Sequence, residues 1–255
     1  RLTLDALDRL SGQAAAEPEL LDLRVWAVRK LDRVDDELAE LERGLTDPAK
    51  LGDAVLLDRL LRLLEHDGEA CAARLVELAL RARKSDGELP AARARVWLLE
   101  SALELLHTHA PARLELGISA LGGLVELVAE PEVALELDLD ERGARERVAG
   151  LRRHWQQFAA SALEQAGRDR KAVERLVELV AIAERAAASA LPGFAELGEM
   201  LLDRANVDFP DHAGLHALAR RRAGDAQRAL ERLERLADAH RLDARARARL
   251  YLGLV

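Results

Sequence analysis

An all-α chain of antiparallel helix hairpins stacked as repeats is what this sequence predicts, on three observations: a helix-forming palette, apolar residues recurring at helical spacing, and an opening motif that returns along the chain. Of 255 residues, 49% are hydrophobic, 33% are charged and 3% are aromatic. Ala, Leu, Arg and Glu dominate, the side chains that lose least rotamer freedom in a helix. Three Thr, two Ile and scattered Val are too few β-branched residues to build a sheet. An irregular multi-helix bundle is the alternative arrangement of the same elements.

Punctuation by Gly, Pro, Asp and Asn divides the chain into helices near 3–15, 18–44, 49–65, 69–84, 90–108, 112–129, 141–166, 168–190, 193–205, 211–222, 225–240 and 243–255. Pro18 reads as a first-turn proline, and Thr46-Asp47-Pro48 supplies a cap followed by a fixed φ. Gly68, Gly167 and Gly224 fall in breaks. In the second helix Leu31, Val34, Leu38, Leu41 and Leu45 alternate spacings of three and four, which predicts one long helix packed on an antiparallel neighbour rather than a dimerising coiled coil. Between Glu130 and Glu141 the period changes to two: Val133, Leu135, Leu137 and Leu139 alternate with Ala134, Glu136, Asp138 and Asp140. That predicts an acidic linker or extended segment at 130–141, between a helical region at 1–129 and another at 142–255.

Charge is uneven. Net charge is −8, but residues 212–255 carry ten Arg against five acidic residues, a balance of +5 that leaves −13 for residues 1–211. Thirty-four Arg against four Lys is the bias that a GC-rich, bacterial-like codon composition produces without functional demand. The single cysteine, Cys71, excludes an intramolecular disulfide framework and reads as a small core residue. No stretch approaches the ~20 apolar residues that cross a bilayer, so a cytoplasmic location is expected. Arg1 in place of Met, and a helical pattern still running at Val255, predict a piece of a longer protein.

The returning motif is Gly, acidic, Ala, two variable residues and Ala: GEACAA at 68–73 and GDAQRA at 224–229. Ala92-Arg93-Ala94-Arg95 leading to Leu98 is echoed by Ala244-Arg245-Ala246-Arg247 leading to Leu250. On these residues the chain resembles the tetratricopeptide family, in which units of about 34 residues form helix pairs that stack into a superhelix. Residues 224–253 resemble a second helix followed by the first helix of the next unit. There Ala229 matches the small residue at the helix crossing, Leu233 the large apolar position four later, and Leu252-Gly253 the Leu-Gly pair. Phe194, Leu197 and Gly198 match the aromatic, Leu and Gly of another first helix. The chain departs from the family at Arg241, where its inter-helix proline is missing, and at Ala237, one position off. The two matches also differ in phase: one makes 211–222 a first helix, the other a second.

Chemistry-bearing motifs are absent from the sequence. His107 and His109, two apart, lie on different helix faces, and His66-Asp67-Gly68 lacks the Lys and Gly that follow a phosphotransfer histidine. Asp138 to Gly143 imitates a calcium loop, but Arg142 and Ala149 stand where oxygen ligands are required. No catalytic, cofactor-binding or metal-ligating residue is predicted, and no enzymatic activity. Trp26, Trp97 and Trp155 read as core anchors rather than platforms for nucleobases.

The expected function is that of a protein-interaction scaffold or adaptor binding a partner protein or peptide, with Arg220, Arg221, Arg222, Arg228, Arg232, Arg235, Arg245 and Arg249 forming a carboxylate-reading surface. Contact of the same segment with a nucleic-acid backbone is the alternative, as is a regulatory or sensing region of a larger enzyme. The apolar end Leu250-Tyr251-Leu252-Gly253-Leu254-Val255 predicts an incomplete interface, open to homodimerisation.

Overall fold

The computed structural model describes residues 17–50, 53–80, 91–110, 113–130, 133, 141–169, 172–189, 191–223, 226–245 and 247–248. The fold is all-α, with eleven helices and no strand among the described residues: α1 Pro18–Lys30, α2 Val34–Thr46, α3 Ala54–Leu63, α4 Gly68–Leu80, α5 Ala92–His109, α6 Leu114–Ala129, α7 Glu141–Arg168, α8 Val173–Ala188, α9 Phe194–Asp208, α10 Ala213–Ala223 and α11 Ala226–Ala239. The predicted helices at 3–15 and, for the most part, 243–255 lie outside the described residues. So does the period-two stretch, except for Val133, which is helical and buried.

The long helix expected over 18–44 is two helices. α1 stops at Lys30 because Asp32 takes a left-handed conformation, φ 54°. Its N–H reaches Arg29 O at 3.2 Å and the N–H of Arg33 reaches Val28 O at 3.0 Å, the paired bonds of a Schellman end. Leu31 therefore leaves the apolar seam and stands 40% exposed, whereas Leu41 and Leu45 are buried. α3 ends the same way at Glu65, φ 61°, and α11 at Arg241, φ 52°; the N–H of His66 bonds Leu61 O at 2.7 Å and that of Leu242 bonds Ala237 O at 2.9 Å. Caps start the neighbours: Asp53 Oδ1 accepts from the Val55 N–H at 2.9 Å, and Asp67 Oδ1 from those of Glu69 and Ala70 at 3.0 Å.

The chain divides into two compact units, Arg1–Asp138 and Leu139–Val255. In the first, α4 and α5 form the most extensive pair, and α5 packs on α6. The pair is antiparallel: Arg95, at the start of α5, donates to Ala79 O at the end of α4 (2.9 Å), while Gly68 opens α4 against His109. A Cβ on Gly68 would lie 2.4 Å from that of His109, so the helices approach this closely only because the position is glycine. Cys71, Ala72, Leu75, Leu98, Leu99, Ala102 and Leu103 fill the seam.

In the second unit each helix touches the next and the next but one. α8 and α9 share its most extensive contact. α7 runs antiparallel to α8, since Trp155 Nε1 donates to Leu179 O at 2.9 Å while Arg175 donates to Gln165 Oε1 at 3.2 Å, nearer the turn. α8 and α10 run parallel. A Cβ built on Gly214 would sit 3.4 Å from Val177 Cγ2, and Arg221 is ion-paired with Glu184, two contacts with the same offset of 37 residues. Gly193 turns the chain into α9 with φ 81° and lies beneath the Arg152 guanidinium, whose Cζ would be 2.8 Å from a Cβ there. The left-handed conformation favours glycine, while the end of the Arg152 side chain could shift to admit a Cβ.

Candidate interaction surfaces

The C-terminal arginines were the predicted partner-binding set, and the fold uses several of them internally. Arg221 on α10 pairs with Glu184 on α8, and Arg232 on α11 donates to Asp203 on α9 at 2.8 Å. Arg235 is exposed and turns to Glu231 O of its own helix at 3.3 Å. Arg228 and Arg245 are exposed. The side chains of Arg220, Arg222 and Arg249 lie outside the described residues. Among the repeat positions, Phe194, Leu197, Gly198 and Leu233 are buried, while the Ala229 side chain, Leu252 and Gly253 lie outside the description. Phe194 is fully buried at the first residue of α9, and Leu233 joins Leu236, Ala237 and Leu242 in a small apolar cluster under α11.

The three tryptophans separate. Trp155 is a core residue, 3% exposed, with its indole N–H satisfied by the Leu179 carbonyl. Trp97 is half-buried. Trp26 overturns the expectation of a core anchor: it is 56% exposed on the outer face of α1, beside Leu23 at 39%. The reason is the orientation of the helix. α1 buries Leu21, Arg24, Ala27 and Val28, the stripe that meets α2 and α3, and this turns positions 23, 26 and 30 outward.

That inward stripe carries a polar centre which sequence reasoning did not find. Arg24 on α1 donates to Glu37 on α2 through Nε (2.6 Å) and Nη2 (3.0 Å), and Arg59 on α3 donates to the same carboxylate at 2.6 Å. Glu40 lies 3.7 and 3.5 Å from the two guanidinium groups. Burial pushes the Glu37 carboxyl up, but the hydrogen bonds and charges of Arg24 and Arg59 outweigh it and hold the group below its ordinary value. Around this centre Arg62 pairs with Asp22 and Asp58, Arg74 with Glu42, and Arg29 with Glu65 and the Leu63 carbonyl. No local signal marks these partners, which stand 13 to 40 residues apart apart from the i,i+4 pair with Asp58.

Groups with reactive potential are placed as structure. Cys71 is fully buried, and desolvation, aided by the charge of Asp67, pushes its thiol up to about 12, so no thiolate is offered at neutral pH. His66 follows the end of α3 at φ 59°. Among the described residues no group of three or more His, Cys, Asp and Glu is placed to hold a metal ion, and no helix is long and apolar enough to cross a membrane. Val173, Phe209, Asp211 and His212 line a recess of about 70 Å³, room for a few waters but not for a ligand-sized molecule.

No protein-family model matches the chain, nor does any curated protein or solved structure. The tetratricopeptide resemblance therefore rests on the residues named above.

Proposed function

We propose that this protein is a non-enzymatic interaction scaffold, a stack of helix hairpins that binds a partner protein or peptide along its open faces, in keeping with a cytoplasmic location. The observation that carries the reading is the 37-residue register between α8 and α10. α8 and α10 lying parallel, with each helix of the unit touching its neighbour and next neighbour, fits the contact order of a repeat stack, in which successive units bury one face and leave another continuous and free. The dominance of the α8/α9 pair over α9/α10 supports hairpins α8/α9 and α10/α11, the phase of the Gly224 match rather than of the Phe194 match. Such faces recognise extended or helical peptides through a few anchors. On this surface Arg228, Arg235 and Arg245 are the exposed arginines that would read carboxylates. The nucleic-acid alternative is weakened because Arg221 and Arg232 already meet carboxylates of their own chain.

The test is a peptide-display selection on the immobilised chain, run beside anisotropy titrations with mixed-sequence single- and double-stranded DNA. The proposal expects selected peptides whose binding is lost in Arg235→Glu and Arg245→Glu and weakens by about tenfold or less between about 50 and 200 mM salt. DNA binding that weakens about 10³-fold or more between about 50 and 200 mM salt, with no peptide selected, would replace it by the backbone-binding reading.

A further inference from the structure

The exposed face of α1 has an internal symmetry. Glu19, Leu23, Trp26 and Lys30 follow at spacings of four, three and four, which sets them on one stripe of the helix. All four are exposed. Neither Glu19 nor Lys30 is held in an ion pair among the described residues, whereas their flanking charges are: Asp22 by Arg62, and Arg29 by Glu65. From one end the stripe reads acid, aliphatic, aromatic, base. Turning the helix end over end about a point midway between Arg24 and Val25 exchanges position 19 with 30 and position 23 with 26. The stripe is thus complementary to an inverted copy of itself, which is the requirement for a two-fold, isologous contact.

We propose that this face is the docking site for a second copy of this chain, with the two α1 helices antiparallel across a two-fold axis. Each Trp26 packs on the partner's Leu23, and each Lys30 pairs with the partner's Glu19. The centre is an aromatic on an aliphatic residue, the kind of anchor that carries interface energy, and the ends are charge pairs that fix orientation. A parallel arrangement would set Glu19 against Glu19 and Lys30 against Lys30. Leu31, 40% exposed beyond the helix end, adds apolar surface at the rim. One face of a 13-residue helix is smaller than a standard interface, so the dimer is weak, with Kd on the order of 10–100 µM. The proposal stands apart from the scaffold reading, which concerns the other unit.

Sedimentation velocity on the full chain, from about 1 to 500 µM, tests it with four variants at exposed positions whose folding is read by circular dichroism. The wild type should shift from monomer to dimer across that range, and Trp26→Glu should stay monomeric. Glu19→Lys and Lys30→Glu should each weaken association about tenfold. The double variant Glu19→Lys/Lys30→Glu should recover wild-type association, because it restores opposite charges only in the antiparallel pairing, and an equimolar mixture of the two single variants should associate through heterodimers more strongly than either alone. A wild type monomeric throughout, a Trp26→Glu variant that dimerises normally, or charge swaps that do not restore association would overturn the proposal.

Discussion

Two three-helix groups, α1–α3 in the first unit and α7–α9 in the second, are built from the same Ala-, Leu-, Arg- and Glu-rich palette and set their register by different physics. α1–α3 converge on a buried carboxylate: Glu37 is shared by Arg24 and Arg59, each on a different helix. α7–α9 converge on aromatic bulk and small residues, with Trp155, Phe158 and Phe194 buried among Ala159, Ala162, Ala183 and Gly198. Polar stitches between α7 and α8 are the Trp155 indole N–H on the Leu179 carbonyl and the Arg175 guanidinium on Gln165 Oε1. A buried ion cluster contributes little net stability, because desolvation offsets most of the attraction, yet it is strongly destabilising when broken from one side. Apolar packing contributes in proportion to area and is indifferent to pH. The contribution of Glu37 should therefore respond to acid and that of the Phe194 packing should not.

The largest expected effects come from removing each centre. Glu37→Ala leaves two largely buried guanidinium groups facing the half-exposed Glu40 carboxylate and should cost about 3 kcal/mol or more at neutral pH. Phe194→Ala should cost about as much, roughly 3–5 kcal/mol, through lost burial and a cavity. Acid separates the two. Glu37 titrates below its ordinary value of 4.5 when folded, so its stabilisation is complete above that pH and is lost as pH falls through the folded value. In urea titrations the penalty of Glu37→Ala should shrink towards pH 3 while that of Phe194→Ala holds; equal behaviour of the two would dissolve the contrast.

A smaller effect lies at the alkaline side. The Cys71 thiol titrates at about 12 when folded against 9.0 ordinarily, so the unfolded chain releases its proton first. Stability is unaffected below pH 9 and should fall above it by about 1.4 kcal/mol per pH unit from this group. Cys71→Ala should remove that part of the slope, which paired urea titrations at pH 8 and 10 would detect as a narrowing gap between the two proteins. Trp155→Phe should cost about 0.5–1.5 kcal/mol, the net worth of one hydrogen bond, with no pH dependence. The least is a gain. Asp32→Gly relieves a left-handed residue at a helix end and should raise stability by about 0.5–1 kcal/mol, read as a higher melting temperature.

Much of the fold was legible because helix ends are local chemistry. Pro18 marks a start that the structure keeps, and the boundaries of α5, α6 and α7 fall within about two residues of those expected, whereas the helix expected from 49 begins at Ala54, capped by Asp53. The break at 31–33 was hidden because its left-handed residue is Asp32, not glycine, and because Leu31 continues the a/d rhythm by coincidence. The ion cluster was hidden for a different reason. Arg24, Glu37 and Arg59 look like ordinary surface charges until three helices converge, and nothing within one helix records that convergence. The arginine surface was legible as composition only; that Arg221 and Arg232 answer Glu184 and Asp203 depends on the packing of α10 on α8 and of α11 on α9. Trp26 was misread for the same reason, because the stripe that α1 buries includes Arg24, a charge that reads as surface until Glu37 meets it.

The claim on which the scaffold reading rests is the 37-residue register of α8 and α10, and a disulfide tests it most directly. In Val177→Cys/Gly214→Cys the two sulfurs should fall within bonding reach, since a Cβ at 214 lies 3.4 Å from the Val177 side chain, while Cys71 stays buried and silent. Mild oxidation should give near-complete intramolecular crosslinking of this pair and little for Val177→Cys/Leu218→Cys, displaced by one turn. A free Val177→Cys/Gly214→Cys pair after oxidation, or equal crosslinking of the displaced pair, would contradict the register and with it the stacked-hairpin account.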